Sequence, residues 1–226
     1  MNPPVNLDAL TLTELARRLA GDGIYLQVPP FVVHIQSPIP VVARGLHDLY
    51  GNYVLLEGGE HFADFHVAVV TRHRPFKKLC VFKMDGFEPF TPLAYGEAFA
   101  FLEWGMNWCV TSYHHNWLTI HAAVLEKDGG AVLLPAPPGS GKSTLCAALM
   151  LNGWRLLSDE MALLDPVTGF VTPAPRPVGL KNASIDVIRQ RSRGLNFGPP
   201  AHDTLKGTAA HMEASPHSLA RAQLPA

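Results

Sequence analysis

The sequence predicts an α/β protein, and two observations lead to that prediction. Apolar runs of strand length alternate with segments of helical spacing along the chain. In the second half, a strand, a glycine-rich loop and a helix follow one another directly over residues 131–151. The length of 226 residues fits one large domain or two small ones. We expect an α+β N-terminal region over residues 1–115 and an α/β domain over residues 116–226.

The N-terminal region combines helices with strands. Leucines at helical spacing follow Thr11, which lies three residues before Glu14 as in a capping box, and they predict a helix that Gly21 ends. A longer helix is expected from Leu93 to about Tyr113, and its aromatic residues are expected in the core. Strands are expected over four further runs: Ile24–Val28, Phe31–Gln36, Phe62–Thr71 and Leu79–Met84.

The second region alternates strands with one clear helix. Apolar strands are expected over Leu118–Leu125 and Ala131–Leu134, followed by a helix over Leu145–Leu151. Another strand, Trp154–Leu157, comes next. Beyond about Arg176 the apolar pattern fades, and residues 181–226 carry six Lys/Arg against three Asp/Glu, so we expect active-site loops or a tail there instead of core.

A glycine-rich loop joins the strand to the helix in this second region. Residues 136–143 read Ala-x-x-x-x-Gly-Lys-Ser, a Walker A pattern in which Ala136 replaces the first glycine. Such a loop turns backbone N–H groups toward phosphate oxygens, and glycine is needed where a side chain would collide. Pro137 and Pro138 carry no N–H, so the donors are expected from Gly139 onward. We predict that this loop binds the phosphates of a nucleotide.

The residues of the loop have distinct expected roles. Lys142 would place its charge on the β- and γ-phosphates, and the Ser143 hydroxyl would ligate Mg²⁺. Phosphate contacts are expected from six residues: Gly139, Ser140, Gly141, Lys142, Ser143 and Thr144.

Two adjacent carboxylates, Asp159 and Glu160, follow the next apolar strand, one helix after the loop. Ligands bind at the carboxyl ends of strands in parallel or mixed sheets, so the pair is expected beside the phosphates. One carboxylate can hold Mg²⁺, and the other can accept a proton from an attacking hydroxyl. A solvated acidic strand end is the alternative interpretation.

His121 lies on the strand that precedes the loop. Taken alone, a histidine in an apolar strand is more often a hydrogen-bonded core residue than a functional one. The remaining histidines, among them His114, His115 and His211, have no Cys or His partner at ligand spacing, so we predict no zinc site.

The composition excludes several classes of protein. Hydrophobic residues make up 47% of the chain and charged residues only 16%, which is untypical of a disordered protein. A formal net charge of −1 gives no global basic field, so neither nucleic acid nor a membrane is an expected partner. Three cysteines without CxxC spacing, and an N-terminus without an apolar signal segment, predict a cytoplasmic location.

In combination the motifs resemble the catalytic domain of bacterial HPr kinase/phosphorylase. In that family a histidine opens a strand, a GxxxxGKS loop follows, and a later strand ends in two acidic residues, as at His121, residues 136–143 and Asp159–Glu160. The chain resembles more closely the HPr-kinase-related group A proteins, which carry stretches like Leu102–Cys109, HAAV, PAPPGSGKST and GWRLLSDE. The resemblance implies a P-loop core of the HPr kinase/PEP carboxykinase type, a mixed sheet with flanking helices.

The resemblance also implies a serine kinase that uses ATP and Mg²⁺. Glu160, where the family usually has a second aspartate, would be the general base on a serine of a protein or peptide acceptor. Asp159 would assist and, with the loop serine, hold the metal, while His121 and Lys142 would organise the phosphates. The family's later glutamate-bearing loop has no clear counterpart, and residues 176–182 stand in its place. HPr kinases assemble as hexamers, so a homo-oligomer stays open.

Two other functions fit the same motifs. The chain could be a nucleotide-binding sensor or scaffold with little catalysis. It could also be a small-molecule phosphotransferase, because phosphoenolpyruvate carboxykinases share a related P-loop core. The kinase acting on a serine hydroxyl is the leading hypothesis.

Overall fold

The computed structural model describes residues 5–192 and 194–226. The strands of the N-terminal half are β1 (Val5–Asn6), β2 (Ile24–Val28), β3 (Phe31–Gln36), β4 (Val54–Leu56), β5 (Phe65–Arg74), β6 (Lys77–Met84) and β7 (Leu93–Ala94). Its helices are α1 (Leu12–Ala20), α2 (Pro40–Leu49) and α3 (Ala98–Tyr113), with single 3-10 turns at Leu7–Ala9 and Tyr95–Glu97. The seven strands form one mixed sheet in the order β1-β4-β2-β3-β5-β6-β7, in which β3 and β5 run parallel.

Local signals explain where these helices begin and end. The Thr11 side chain accepts a hydrogen bond from the Glu14 backbone N–H at 3.2 Å, and Gly21 follows the last residue of α1, which confirms the predicted cap and stop. The helix predicted from Leu93 begins only at Ala98. Leu93 instead pairs with Cys80 across β6 and β7, so the sheet takes the first residues of the predicted helix.

Helix α3 packs closely on the sheet, as its aromatic composition predicted. A Cβ at Gly105 would lie 2.1 Å from the ring of Phe82 on β6, so only glycine permits this approach. Phe99 and Met106 of α3 are buried in the same core, whereas Trp104 is only partly buried. The core prediction is therefore confirmed for Phe99 and Phe101, holds only in part for the half-buried Trp104 and Trp108, and is wrong for Tyr113, which is exposed.

The second half is built from short antiparallel strands around one helix. Its strands are β8 (Leu118–Ile120), β9 (Ala122–Lys127), β10 (Gly130–Pro135), β11 (Arg155–Ser158), β12 (Ala162–Leu164), β13 (Val171–Thr172), β14 (Val178–Lys181), β15 (Ala201–Thr204) and β16 (Gly207–Met212). Its helices are α4 (Lys142–Leu151), α5 (Ala183–Arg189) and α6 (Pro216–Ala220). The strands form three open sheets, in the orders β10-β9-β11, β13-β12-β8 and β14-β16-β15. The chain is therefore a mixed α/β protein with open sheets and flanking helices.

The segment beyond Arg176 contributes to the core, so the expectation that it lies outside the core was wrong. Val178 and Leu180 of β14 and Met212 of β16 are fully buried. They pack with Cys146 and Met150 of α4 in one buried cluster, which also includes Leu125 of β9. Alternation of buried and open positions over only four residues of β14 was too short to stand out in the sequence.

The two halves also share packing. Met161, Leu163 and Ala174 of the second half belong to the same buried cluster as the N-terminal sheet and α3. No helix within the described ranges is long and apolar enough to cross a membrane.

Candidate functional site

Sheet topology brings the predicted site residues to one edge. Strands β10 and β11 both run antiparallel to the central strand β9, so their carboxyl ends point the same way. The glycine-rich loop follows β10, and Asp159 and Glu160 follow β11. His121 immediately precedes β9, whose first residue pairs with the last residue of β10. All three predicted groups therefore lie at the same edge of this sheet.

His121 lies where the pairing between two chain segments is interrupted. Ser158 of β11 pairs with Val124 of β9, and Ala162 of β12 pairs with Ile120 of β8. Between these two pairs, residues 159–161 and residues 121–123 do not pair with each other. His121 and Glu160 lie within this break. Their side chains are 58% and 39% exposed, and His121 Nδ1 lies 3.8 Å from Glu160 Oε2. The strand predicted over Leu118–Leu125 is thus two strands, and the histidine faces solvent beside the carboxylate.

The glycine-rich loop has the backbone that its sequence predicts. Gly139 and Gly141 have φ values of 85° and 91°, which glycine adopts without strain. A Cβ at either position would meet no protein atom within 4 Å, so backbone conformation and not a clash within the chain requires glycine here. Helix α4 begins directly after Gly141, and Lys142 Nζ donates to the carbonyl oxygens of Ala136 at 2.6 Å and Pro137 at 3.3 Å.

The loop forms one wall of an open cleft of about 770 Å³, a volume typical of small-ligand sites. Five of the six predicted loop residues line it, together with His121, Asp159 and Glu160. Ser140 is the exception, and its backbone N–H donates to the Pro137 carbonyl at 3.3 Å within the turn of the loop. The cleft therefore brings the Lys142 ammonium, the Ser143 hydroxyl and the carboxylates of Asp159 and Glu160 into one volume.

Asp159 is the most perturbed acid of the cleft. It is 6% exposed, and its Oδ2 accepts the backbone N–H of Gly179 at 2.9 Å. Its Oδ1 is buried and has no hydrogen-bond partner among the described residues. Burial, followed by the neighbouring charge of Glu160, raises the pKa of Asp159 to about 7, although the Gly179 N–H and the Ser143 hydroxyl act in the opposite direction. A buried carboxylate with one free oxygen is poised to receive a cation.

A buried ionic network supports the floor of the cleft. Arg176 pairs with Glu103 of α3 and donates to Asn107 Oδ1 at 2.6 Å. The Tyr50 hydroxyl donates to the other carboxylate oxygen of Glu103 at 2.6 Å. Arg176, Glu103 and Asp159 all border a second, small cavity of about 40 Å³ next to the cleft. The network links α3 to Arg176, which lies just before β14, the strand that carries Gly179.

Sequence reasoning missed the wall of the cleft that faces the loop. Lys181 and Asn182 lie at the end of β14, and Lys206 lies in the turn between β15 and β16. Leu93 and Trp104 of the N-terminal half also border the cleft. The signal for the lysines was the small basic excess of residues 181–226, a segment for which active-site loops or a tail were predicted without naming either lysine.

Comparisons with family models, with curated proteins and with solved structures found no match to this chain. Within the described ranges, no three His, Cys, Asp or Glu side chains cluster as a metal site. Mg²⁺ does not need such a cluster, because it is usually held by one or two carboxylates, water and substrate phosphates. The buried free oxygen of Asp159 beside the Ser143 hydroxyl fits that donor set.

Proposed function

We propose that the protein is an ATP-dependent kinase that transfers the γ-phosphoryl group to a serine hydroxyl of a protein or peptide. One observation carries the proposal: the Lys142 loop follows β10 and the Asp159–Glu160 pair follows β11, two strands that flank β9 and run in the same direction, and both groups line one open cleft. The same arrangement supports assignment of this region to a P-loop core of the HPr kinase type. Three free, buried cysteines are compatible with the proposed cytoplasmic location.

The loop would bind the phosphates of ATP. Backbone N–H groups from Gly139 to Thr144 and the positive end of α4 favour anions at this position. Lys142, now bonded only to two carbonyl oxygens, would exchange them for phosphate oxygens. Ser143 and Asp159 would hold Mg²⁺, which would supply positive charge to the phosphate chain.

Glu160 would be the general base, because it alone of the two acids is open to an acceptor. Its side chain is 39% exposed, whereas Asp159 is almost fully buried. In the transfer, the serine oxygen forms a bond to the γ-phosphorus as the bond to the β,γ-bridging oxygen breaks, and ADP leaves. The serine proton passes to the Glu160 carboxylate. His121, 3.8 Å away, would orient that carboxylate.

A serine of a peptide would reach Glu160 from the open side of the cleft. It is open to solvent, and Leu93 and Trp104 give one side an apolar wall. Apolar surface with a few convergent polar groups is typical of sites that bind a chain segment or an organic ligand.

The test compares Glu160→Gln with the wild type and with Glu60→Gln, an exposed glutamate outside the cleft. Radiolabelled ATP is supplied with a library of serine peptides, and hydrolysis, in which water is the acceptor, is followed in parallel. Glu160→Gln should lower transfer by about 10²- to 10⁴-fold, because a general base contributes that much. Its ATP affinity should change by less than about threefold, and Glu60→Gln should match the wild type.

Two results would contradict the proposal. Transfer by Glu160→Gln at the wild-type rate would remove Glu160 as the base. A wild type that binds ATP but phosphorylates no peptide would favour the sensor or the small-molecule phosphotransferase instead.

A further inference from the structure

The wall that faces the glycine-rich loop carries two lysines that the proposed mechanism does not use. Lys181 ends β14, and Lys206 lies in the turn of the β15–β16 hairpin. Both border the same cleft as Lys142. The cleft is therefore bordered by lysines from three elements, α4, β14 and the β15–β16 turn, an arrangement suited to binding a polyanion.

Lys181 lies close to the reacting groups. It is two residues from Gly179, whose N–H donates to Asp159 Oδ2 at 2.9 Å, so the ladder of β14 fixes its distance from the acidic pair. Its side chain is exposed and borders the cleft that Asp159 and Glu160 also line. Its positive charge acts to lower the pKa of Asp159.

Asn182 holds this wall in place at a cost in backbone energy. Its φ of 52° and ψ of −130° lie where glycine is favoured, and such strain is retained where the surrounding structure fixes it. Its side chain donates to the Lys206 carbonyl at 3.1 Å and accepts the Thr208 N–H at 3.1 Å. A Cβ at Gly207 would lie 2.2 Å from Asn182 Oδ1, so the hairpin turn is fitted around this amide. Asn182 thereby links the end of β14, which carries Lys181, to the turn that carries Lys206.

We propose that Lys181 binds the terminal phosphate of the nucleoside triphosphate and makes the site select a triphosphate over a diphosphate. Asn182 is the positioning residue for this contact, and Lys206 adds positive charge on the same wall. The inference rests on the proposed nucleotide site and goes further, because it assigns the γ-phosphate to a side chain outside the glycine-rich loop. It also assigns phosphate binding to Lys181 and its positioning to Asn182, both within the segment 176–182.

The experiment measures dissociation constants of Mg·ATP and Mg·ADP by calorimetry for the wild type, Lys181→Met and Lys77→Met. Lys77 is an exposed lysine in the β5–β6 hairpin and is the matched control. Lys181→Met should weaken ATP about tenfold to a hundredfold, as expected for a lost charge-assisted hydrogen bond, and change ADP by less than about threefold. Lys77→Met should leave both constants unchanged. Asn182→Gly, which relieves the strain but loses both side-chain hydrogen bonds, should weaken ATP more than ADP.

The outcomes separate the two proposals. If the wild type binds ATP through Lys142 but Lys181→Met keeps the wild-type ratio of ATP to ADP affinity, this inference is overturned and the proposed function stands. If the folded wild type binds neither nucleotide, the proposed function fails and the inference fails with it. Thermal melts check that Lys181→Met is folded, which is expected because Lys181 is exposed.

Discussion

Replacing Asp159 by Asn should make the protein more stable at neutral and alkaline pH. The side chain is buried, and its pKa is raised from 3.8 to about 7 by burial and by Glu160. Below about pH 4 the carboxyl is neutral in the folded and the unfolded chain. Between pH 4 and 7 only the unfolded chain ionises it, so the stability that it contributes is lost as pH rises through the folded pKa. Asn is neutral at every pH and can still accept the Gly179 N–H.

The magnitude follows from the two pKa values. The difference between 3.8 and about 7 corresponds to about 4 kcal/mol, at about 1.4 kcal/mol per pKa unit, once both states are ionised. The free energy of unfolding of the Asn variant, relative to that of the wild type, should therefore be about 2–4 kcal/mol higher at pH 8 than at pH 4. The assay is urea unfolding from pH 4 to 9 in a buffer with EDTA, so that no divalent cation binds the carboxylate.

A matched variant with the opposite sign provides the control. Asp165 accepts the backbone N–H groups of Val167 and Thr168, which lowers its pKa. Asp165→Asn should thus be less stable than the wild type at pH 8, and this gap should close as pH falls below the range where the carboxylate titrates. A free-energy difference between Asp159→Asn and the wild type that is equal at pH 4 and pH 8 would refute the reasoning. Greater stability with lost activity would mark Asp159 as a residue kept for function.

Two further predictions concern buried groups outside the proposed phosphate site. Arg176→Met should lower the free energy of unfolding in urea by about 3–5 kcal/mol, because it leaves the buried Glu103 carboxylate unpaired. Adding Glu103→Met should recover part of that loss, and a double variant without any recovery would contradict the pairing. Burial raises the pKa of Cys80 to about 11 and that of Cys109 to about 12, and it also raises the pKa of Cys146. All three thiols should therefore react with iodoacetamide only when the protein unfolds. Rapid alkylation of the native protein would contradict this prediction.

The elements that could be predicted from the sequence are those with local signals. Thr11 and Gly21 bracket α1 through a side-chain cap and a helix stop, and both act within one turn of the helix. The glycine-rich loop was predictable because positive φ at Gly139 and Gly141 is a requirement of the loop backbone itself. Asp159 was predictable beside the loop because it directly follows the next strand after helix α4, and the carboxyl ends of such strands lie at the same edge of a sheet.

The elements that could not be predicted depend on contacts between distant parts of the chain. Strand β14 has only four residues, and its burial comes from packing against α4 and β16. Lys181 and Lys206 are separated by 25 positions and border one cleft because β14 pairs with β16 of the hairpin and Asn182 adds two hydrogen bonds to the hairpin turn. The helix predicted from Leu93 loses its first residues to β6 for the same reason, since a pairing partner in sequence position 80 overrides local helical spacing.

The most direct test of the central claim is a titration of ATP into the protein with and without Mg²⁺, comparing the wild type with Lys142→Ala and the control Lys77→Ala. A working phosphate site predicts Mg²⁺-dependent binding by the wild type and by Lys77→Ala. Lys142→Ala should bind at least about tenfold more weakly, because a charged hydrogen-bond donor to phosphate is lost. A folded wild type that binds no ATP, or a Lys142→Ala variant that binds as tightly as the wild type, would contradict the account.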